Sequence, residues 1–221
     1  MKNSKQQKPI LHMPDKIIPG RKPDTAYWQA LGKFVETYAT VEAMMFYVLS
    51  LHSKVPADIA KALFSGTRLD ASIKYLRRIF AVRDIDEAIS KELEMIFTQL
   101  IVINAARNDV THYGSLETLD FGRVSSNYVR AHLPENITIR PMNTEVLTAM
   151  TRDLERISSL LFVHTILPEK NRAAERANLW DQGGVWLYKP PPDHEMKLNK
   201  PERSVRSHSP RRKDQRHSSR Q

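Results

Sequence analysis

The spacing of apolar side chains narrows the fold more than any other feature of this chain. From Tyr27 they recur at Leu31, Phe34, Tyr38, Val41, Met45 and Val48, with Leu49 beside the last. Steps of three and four residues place such a series on one face of a long helix. Asp24 stands where an N-cap belongs, and Val55-Pro56 ends the run. The period returns at Ile89, Leu93, Ile96, Leu100, Ile103 and Val110, closed by Gly114, and again at Leu147, Met150, Leu154, Ile157 and Leu161. Asn143 or Thr144 caps this last series, Glu145 suits its positive end, and Pro168 follows it. Two shorter helices fit between the first two series. One spans 56–64, opens on proline and stops at Gly66. The other spans 69–81, with Ile73, Leu76 and Phe80 turned inward. With long helices over about 24–55, 85–112 and 144–166, the expected fold is an all-α bundle.

Two stretches break the pattern. Between Leu116 and Pro141 the helical period disappears. Short β-prone pieces, Arg123-Val124 and 137–140, stand there with Gly122 and Pro134, as in a hairpin or an irregular excursion. Further on, Trp180, Val185, Trp186 and Tyr188 surround Gln182-Gly183-Gly184. Two readings of 178–188 stay open: a loop that packs its aromatics back on the bundle, or a partner-binding or base-stacking patch.

Composition excludes several chemistries. The 221 residues suit one domain with tails and include no cysteine, so disulfides, zinc-thiolate centres, iron–sulfur clusters and a cysteine nucleophile are ruled out. No apolar run approaches the ~20 residues of a membrane span. The polar, basic opening is not followed by an apolar stretch of the signal-peptide kind, so a cytoplasmic protein without membrane association is expected. The net charge of +9 is unevenly spread: residues 1–22 carry +5, residues 189–221 carry +6, and the body between them −2. The expected organisation is a disordered basic segment over 1–23, the bundle over 24–168, an aromatic extension over 169–189 and a disordered basic tail over 190–221. The tail either holds RNA through phosphate contacts or serves solubility.

The anomaly lies near the end of the 85–112 helix. Taking Leu100 as reference, Arg107 falls about 20° away, at the centre of the apolar stripe, with Asn104 about 40° and Thr111 about 20° off. A guanidinium cannot shed its proton, so it must be paired or wet. Three explanations stand: a buried acid pairs with it, it lines a cleft, or it sits at a subunit interface. Glu42, one turn beyond Tyr38 on the first helix, is the candidate acid. Arg107 and His112 lie about 140° apart on an ideal helix. They converge only if the helix frays near His112 or if a second copy supplies its own pair. A histidine at the carbonyl end of a helix is suited to moving protons. His52 and His164 read as core or helix-end histidines, and His208 and His217 as solvated. No metal-binding spacing, Walker loop, GxGxxG or nucleophile elbow is present.

Arg107-Asn108-Asp109-Val110-Thr111-His112 resembles the signature of HEPN domains: an arginine, a polar residue, and a histidine after four intervening positions, closing a long helix of an all-α bundle. The opening helix, 34–42, is similar to that of some bacterial members, and the resemblance covers about residues 24–168. It implies a metal-independent endoribonuclease without cofactor, acting as a homodimer on RNA, of the toxin or phage-defence kind, with an antitoxin or regulatory protein as a possible partner. It also implies that His112 transfers protons, Arg107 stabilises charge, and Asn108, with Thr111 and Asn104 nearby, binds or orients the phosphate. Some members are inactive, which leaves the alternative of a non-catalytic interaction or dimerisation module with Arg107 as a structural ion pair.

Overall fold

The structure, a computed structural model, describes residues 24–83, 85–118, 122–133 and 136–192. The expected basic segments over 1–23 and from 193 onward lie outside the described residues. The described chain is all-α in class, with six helices and a small sheet. The helices are α1 (Thr25–Ser53), α2 (Ala57–Phe64), α3 (Leu69–Val82), α4 (Glu87–Tyr113), α5 (Thr144–Thr165) and α6 (Glu169–Gly183). The termini follow capping chemistry. The Asp24, Asp86 and Asn143 side chains accept the N–H groups of Tyr27, Ile89 and Val146. Gly114 ends α4 at φ 69°, a left-handed angle open to glycine, and its N–H donates to the Val110 carbonyl.

The core is built from the predicted stripes. Phe34, Val41, Leu93, Ile96, Leu100, Leu147, Leu154 and Ile157 are fully buried where α1, α4 and α5 meet. α3 lies along the second half of α1. Arg68, its N-cap, and Asp70, in its first turn, act electrostatically on Tyr38. At its far end Arg83 donates to the Ser53 carbonyl at 3.2 Å, and Phe80 meets His52 edge-on. The first half of α1 and the last turns of α4 therefore extend past the start of α3.

In place of a single hairpin, three short strands make an antiparallel sheet: β1 (Leu116–Thr118), β2 (Gly122–Ser126) and β3 (Ile139–Pro141), in that order. Val124 is the register centre, opposite Leu116 on one side and Pro141 on the other. Arg123 fastens the sheet to the start of α1, its guanidinium 4.0 Å from the Tyr27 ring centroid and 3.6 Å from Asp24.

The expectation of a loop over 178–188 holds only from Gly184 onward. Glu169–Gly183 is a helix, made by Ala173, Ala174, Ala177 and other good helix formers without an apolar stripe. It is tied to the bundle by polarity. Arg176 Nε donates to the buried Glu92 carboxylate at 2.6 Å, and His164 Nε2 lies 3.1 Å from the other oxygen of Glu92. The aromatics do pack back on the bundle: Trp180 and Trp186 lie against the core and Tyr188 enters it.

Candidate functional site

The site lies on the last turns of α4, beside Tyr38 of α1 and near the start of α3. Tyr38, on α1, is buried, and its hydroxyl donates to Asn104 Oδ1 at 2.6 Å. The Arg107 guanidinium lies over the same ring, 5.1 Å from its centroid. Arg107 Nη1 donates to Asn108 Oδ1 at 3.2 Å. A half-buried cation, an aromatic face and two carboxamides are thus assembled from α1 and α4. Burial first, and then the nearby Glu42 carboxylate, push the Tyr38 phenol above its ordinary range, against the pull of Arg107. Tyr38 therefore stays protonated and acts as a donor.

Glu42 does not pair with Arg107: among the described residues no ion pair joins them. Asn108 and the Tyr38 ring are what Arg107 meets instead. Among the described residues Arg107 has no carboxylate partner at all, so its charge is left to the aromatic face, the amide and solvent.

The remaining sequence-predicted residues are placed less closely. Thr111 is exposed, and its hydroxyl bonds back to the Arg107 carbonyl at 2.7 Å, a local helix contact. His112 is exposed, with its ring 6.3 Å from that of Tyr113. α4 stays helical through Tyr113, so the fraying that would turn His112 toward Arg107 within one chain does not occur. His112 instead shares a face with Asn108, one turn before it. Asn108 therefore stands between the cation and the imidazole, and convergence of Arg107 with a histidine requires a second copy.

Two residues of this region carry no motif signal. Tyr38 sits on an apolar stripe and reads as plain core. Arg140, on β3, donates from Nε to Asp109 Oδ2 at 3.0 Å, both side chains being largely buried. Asp109, the third residue of the motif, is thereby engaged by the sheet. Just past the end of α4, the Tyr27 hydroxyl and Ser115 Oγ lie 2.6 Å apart and tie the chain there to α1.

Among the described residues no group of three or more His, Asp or Glu side chains is placed to hold a metal ion, and no helix is long and apolar enough to cross a membrane. Comparison with protein-family models, with curated proteins and with solved structures gives no match to this chain.

Proposed function

We propose that the protein is a metal-independent endoribonuclease of HEPN type, working as a homodimer. The observation that carries this reading is the half-buried guanidinium of Arg107, which among the described residues has no carboxylate partner and lies beside Asn108 near the end of α4. Such a cation is available for a phosphate, and a phosphorane gathering negative charge binds it more strongly than the starting diester. In the proposed step the RNA 2′-oxygen attacks the adjacent phosphorus while the bond to the 5′-oxygen breaks. The His112 of one copy accepts the 2′-hydroxyl proton, and the protonated His112 of the other copy, or water, gives a proton to the departing 5′-oxygen. The products are a 2′,3′-cyclic phosphate and a 5′-hydroxyl. Asn108 orients the phosphate, with Asn104 and Thr111 alongside.

Because Arg107 and His112 stand about 140° apart on a continuous helix, the composite site draws on two copies, the arginine of one facing the histidine of the other. Toxin or phage-defence activity in the cytoplasm, held in check by an antitoxin or regulatory protein, is the biological setting that fits this chemistry.

The test is cleavage of a structured RNA by purified protein in EDTA, with Arg107→Ala and His112→Ala as controls. Cleavage by the wild type that both variants lose supports the reading. No cleavage by a folded, dimeric wild type, or full activity of His112→Ala, overturns it and leaves the tip to a non-catalytic interaction module.

A further inference from the structure

The last turn of α4 has few constraints of its own: it ends at a glycine, and His112 and Thr111 are exposed. What holds it from outside is a relay that begins in the C-terminal extension. The carboxylate of Asp153, buried on α5, accepts the N–H groups of Leu187 at 2.9 Å and Tyr188 at 2.8 Å. Gln99, buried on α4, donates to Asp153 and to the Tyr188 carbonyl, each at 2.9 Å. These bonds fix the Tyr188 backbone and send its side chain into the core, where its hydroxyl accepts from Arg140 Nη1 at 3.4 Å. Arg140 then reaches Asp109 through Nε at 3.0 Å. Asp109 adjoins Asn108 in sequence and stands one turn before His112.

We infer that Arg140 is a positioning residue for the Asn108–His112 turn. Held by the Tyr188 hydroxyl, it acts through Asp109 to fix the rotation at which α4 presents Asn108 and His112 to substrate. The catalytic meaning of this rests on the endoribonuclease reading, whereas the positioning itself does not. The geometry favours such a role because the pair is bonded along one flank of the helix and leaves the Asn108 and His112 face free. A guanidinium with two donors engaged on different partners sets an orientation that a single point charge does not.

The experiment uses the full chain as Arg140→Lys and Tyr188→Phe, chosen because Arg140→Met strands a buried Asp109 charge and risks unfolding. Two measurements are made. Amide hydrogen exchange without RNA reads the turn directly. The expected result is exchange about tenfold faster at residues 108–113, with α1 and α5 unchanged and with the effect smaller in Tyr188→Phe. RNA cleavage reads the consequence: kcat lowered about three- to tenfold with KM within twofold, since binding survives while the reacting geometry loosens. Exchange that stays as in the wild type at 108–113, or that rises uniformly over all helices, overturns the positioning role in favour of no role or a purely structural one. If exchange changes locally but the wild type cleaves no RNA, the positioning stands and the endoribonuclease reading falls. If cleavage is present and unaltered in both variants, the inference is overturned and the endoribonuclease reading stands.

Discussion

The Arg107 guanidinium lies over the ring of Tyr38, 5.1 Å from its centroid, while the Tyr38 hydroxyl donates to Asn104 one turn before Arg107. One phenol thus contacts two of the polar residues that interrupt the apolar face of α4. Its ring spreads weakly negative density beneath the cation without neutralising it, as a carboxylate would. Arg107 is consequently steadied but still charged toward solvent, the condition a phosphate-binding arginine needs.

Arg107→Ala separates this arrangement from a structural ion pair. Loss of a partly exposed cation–π contact costs about 1 kcal/mol, whereas breaking a buried ion pair costs about 3–5 kcal/mol. The variant is expected to melt within a few degrees of the wild type by circular dichroism, and to lose RNA cleavage by a factor of about 100 or more. A collapse in melting temperature would return Arg107 to a structural role.

Asp153 carries the C-terminal extension, accepting two consecutive backbone N–H groups and the Gln99 amide. Asp153→Ala removes the acceptor of two backbone N–H groups, that of Leu187 part-buried and that of Tyr188 buried, and one of the two Gln99 bonds, Gln99 keeping the Tyr188 carbonyl. At about 1–3 kcal/mol for a buried group left unsatisfied, the expected loss is about 2–3 kcal/mol, or roughly 5–10 °C in Tm for a body of this size. A thermal melt decides the matter. A shift below about 2 °C would mean that residues 184–188 are dispensable to the fold.

The helix ends were legible because local chemistry sets them: Asp24, Asn143 and Gly114 act within one turn of their own positions. α6 was not legible, since Leu179 and Trp180 are its few residues against the core and its main tie is the pairing of Arg176 with Glu92 on another helix. The β-prone pieces at Arg123-Val124 and 137–140 are legible, but not their pairing in one sheet, because setting Val124 against Pro141 depends on a return of the chain that no short window contains. At the site, the stripe marks Arg107 as out of place, and charge alone points to an acid such as Glu42; the contact is Tyr38, one turn earlier on the same helix, which no pattern marks because a phenol on an apolar stripe is indistinguishable from core. Arg140 gives no signal at all, its partner Asp109 lying on α4, 31 residues earlier in the chain.

The acid side of the stability profile is expected to depend on His52. Burial first, and then the positive charges of His164, Arg83, Arg172 and Lys54 around it, push this imidazole from 6.5 down to about 4. Between those values the unfolded chain binds a proton that the folded chain refuses. The contribution is therefore fully present above about pH 6.5, is lost as pH falls toward 4, and changes no further below that. With the ring partly exposed, solvent screening leaves on the order of 1 kcal/mol. His52→Gln should flatten Tm against pH in this window relative to the wild type; parallel curves for the two proteins would remove His52 as the cause.

Gly183 offers a test in which helix propensity and packing oppose each other. Within a helix, Gly→Ala ordinarily stabilises by about 1 kcal/mol. A Cβ at Gly183, however, would overlap Nε and Cζ of Arg156. That guanidinium is held between Trp180 and Trp186, 4.5 and 4.8 Å from their rings, and donates to the carbonyls of Gly184 and Trp180. It cannot yield without leaving both indoles and both acceptors. The cation–π contacts and hydrogen bonds outweigh the propensity gain, so Gly183→Ala is expected to destabilise by about 1–2 kcal/mol and to change the tryptophan emission as the indoles lose their cation. Arg156→Ala made together with Gly183→Ala is the control. With the obstructing side chain gone, the alanine should recover its ordinary advantage, making the double variant more stable than Arg156→Ala alone. A stabilised single variant with unchanged emission would show that Arg156 is free to move, and that the turn at 183–184 is held by the Asp153 bonds without help from the indole pair.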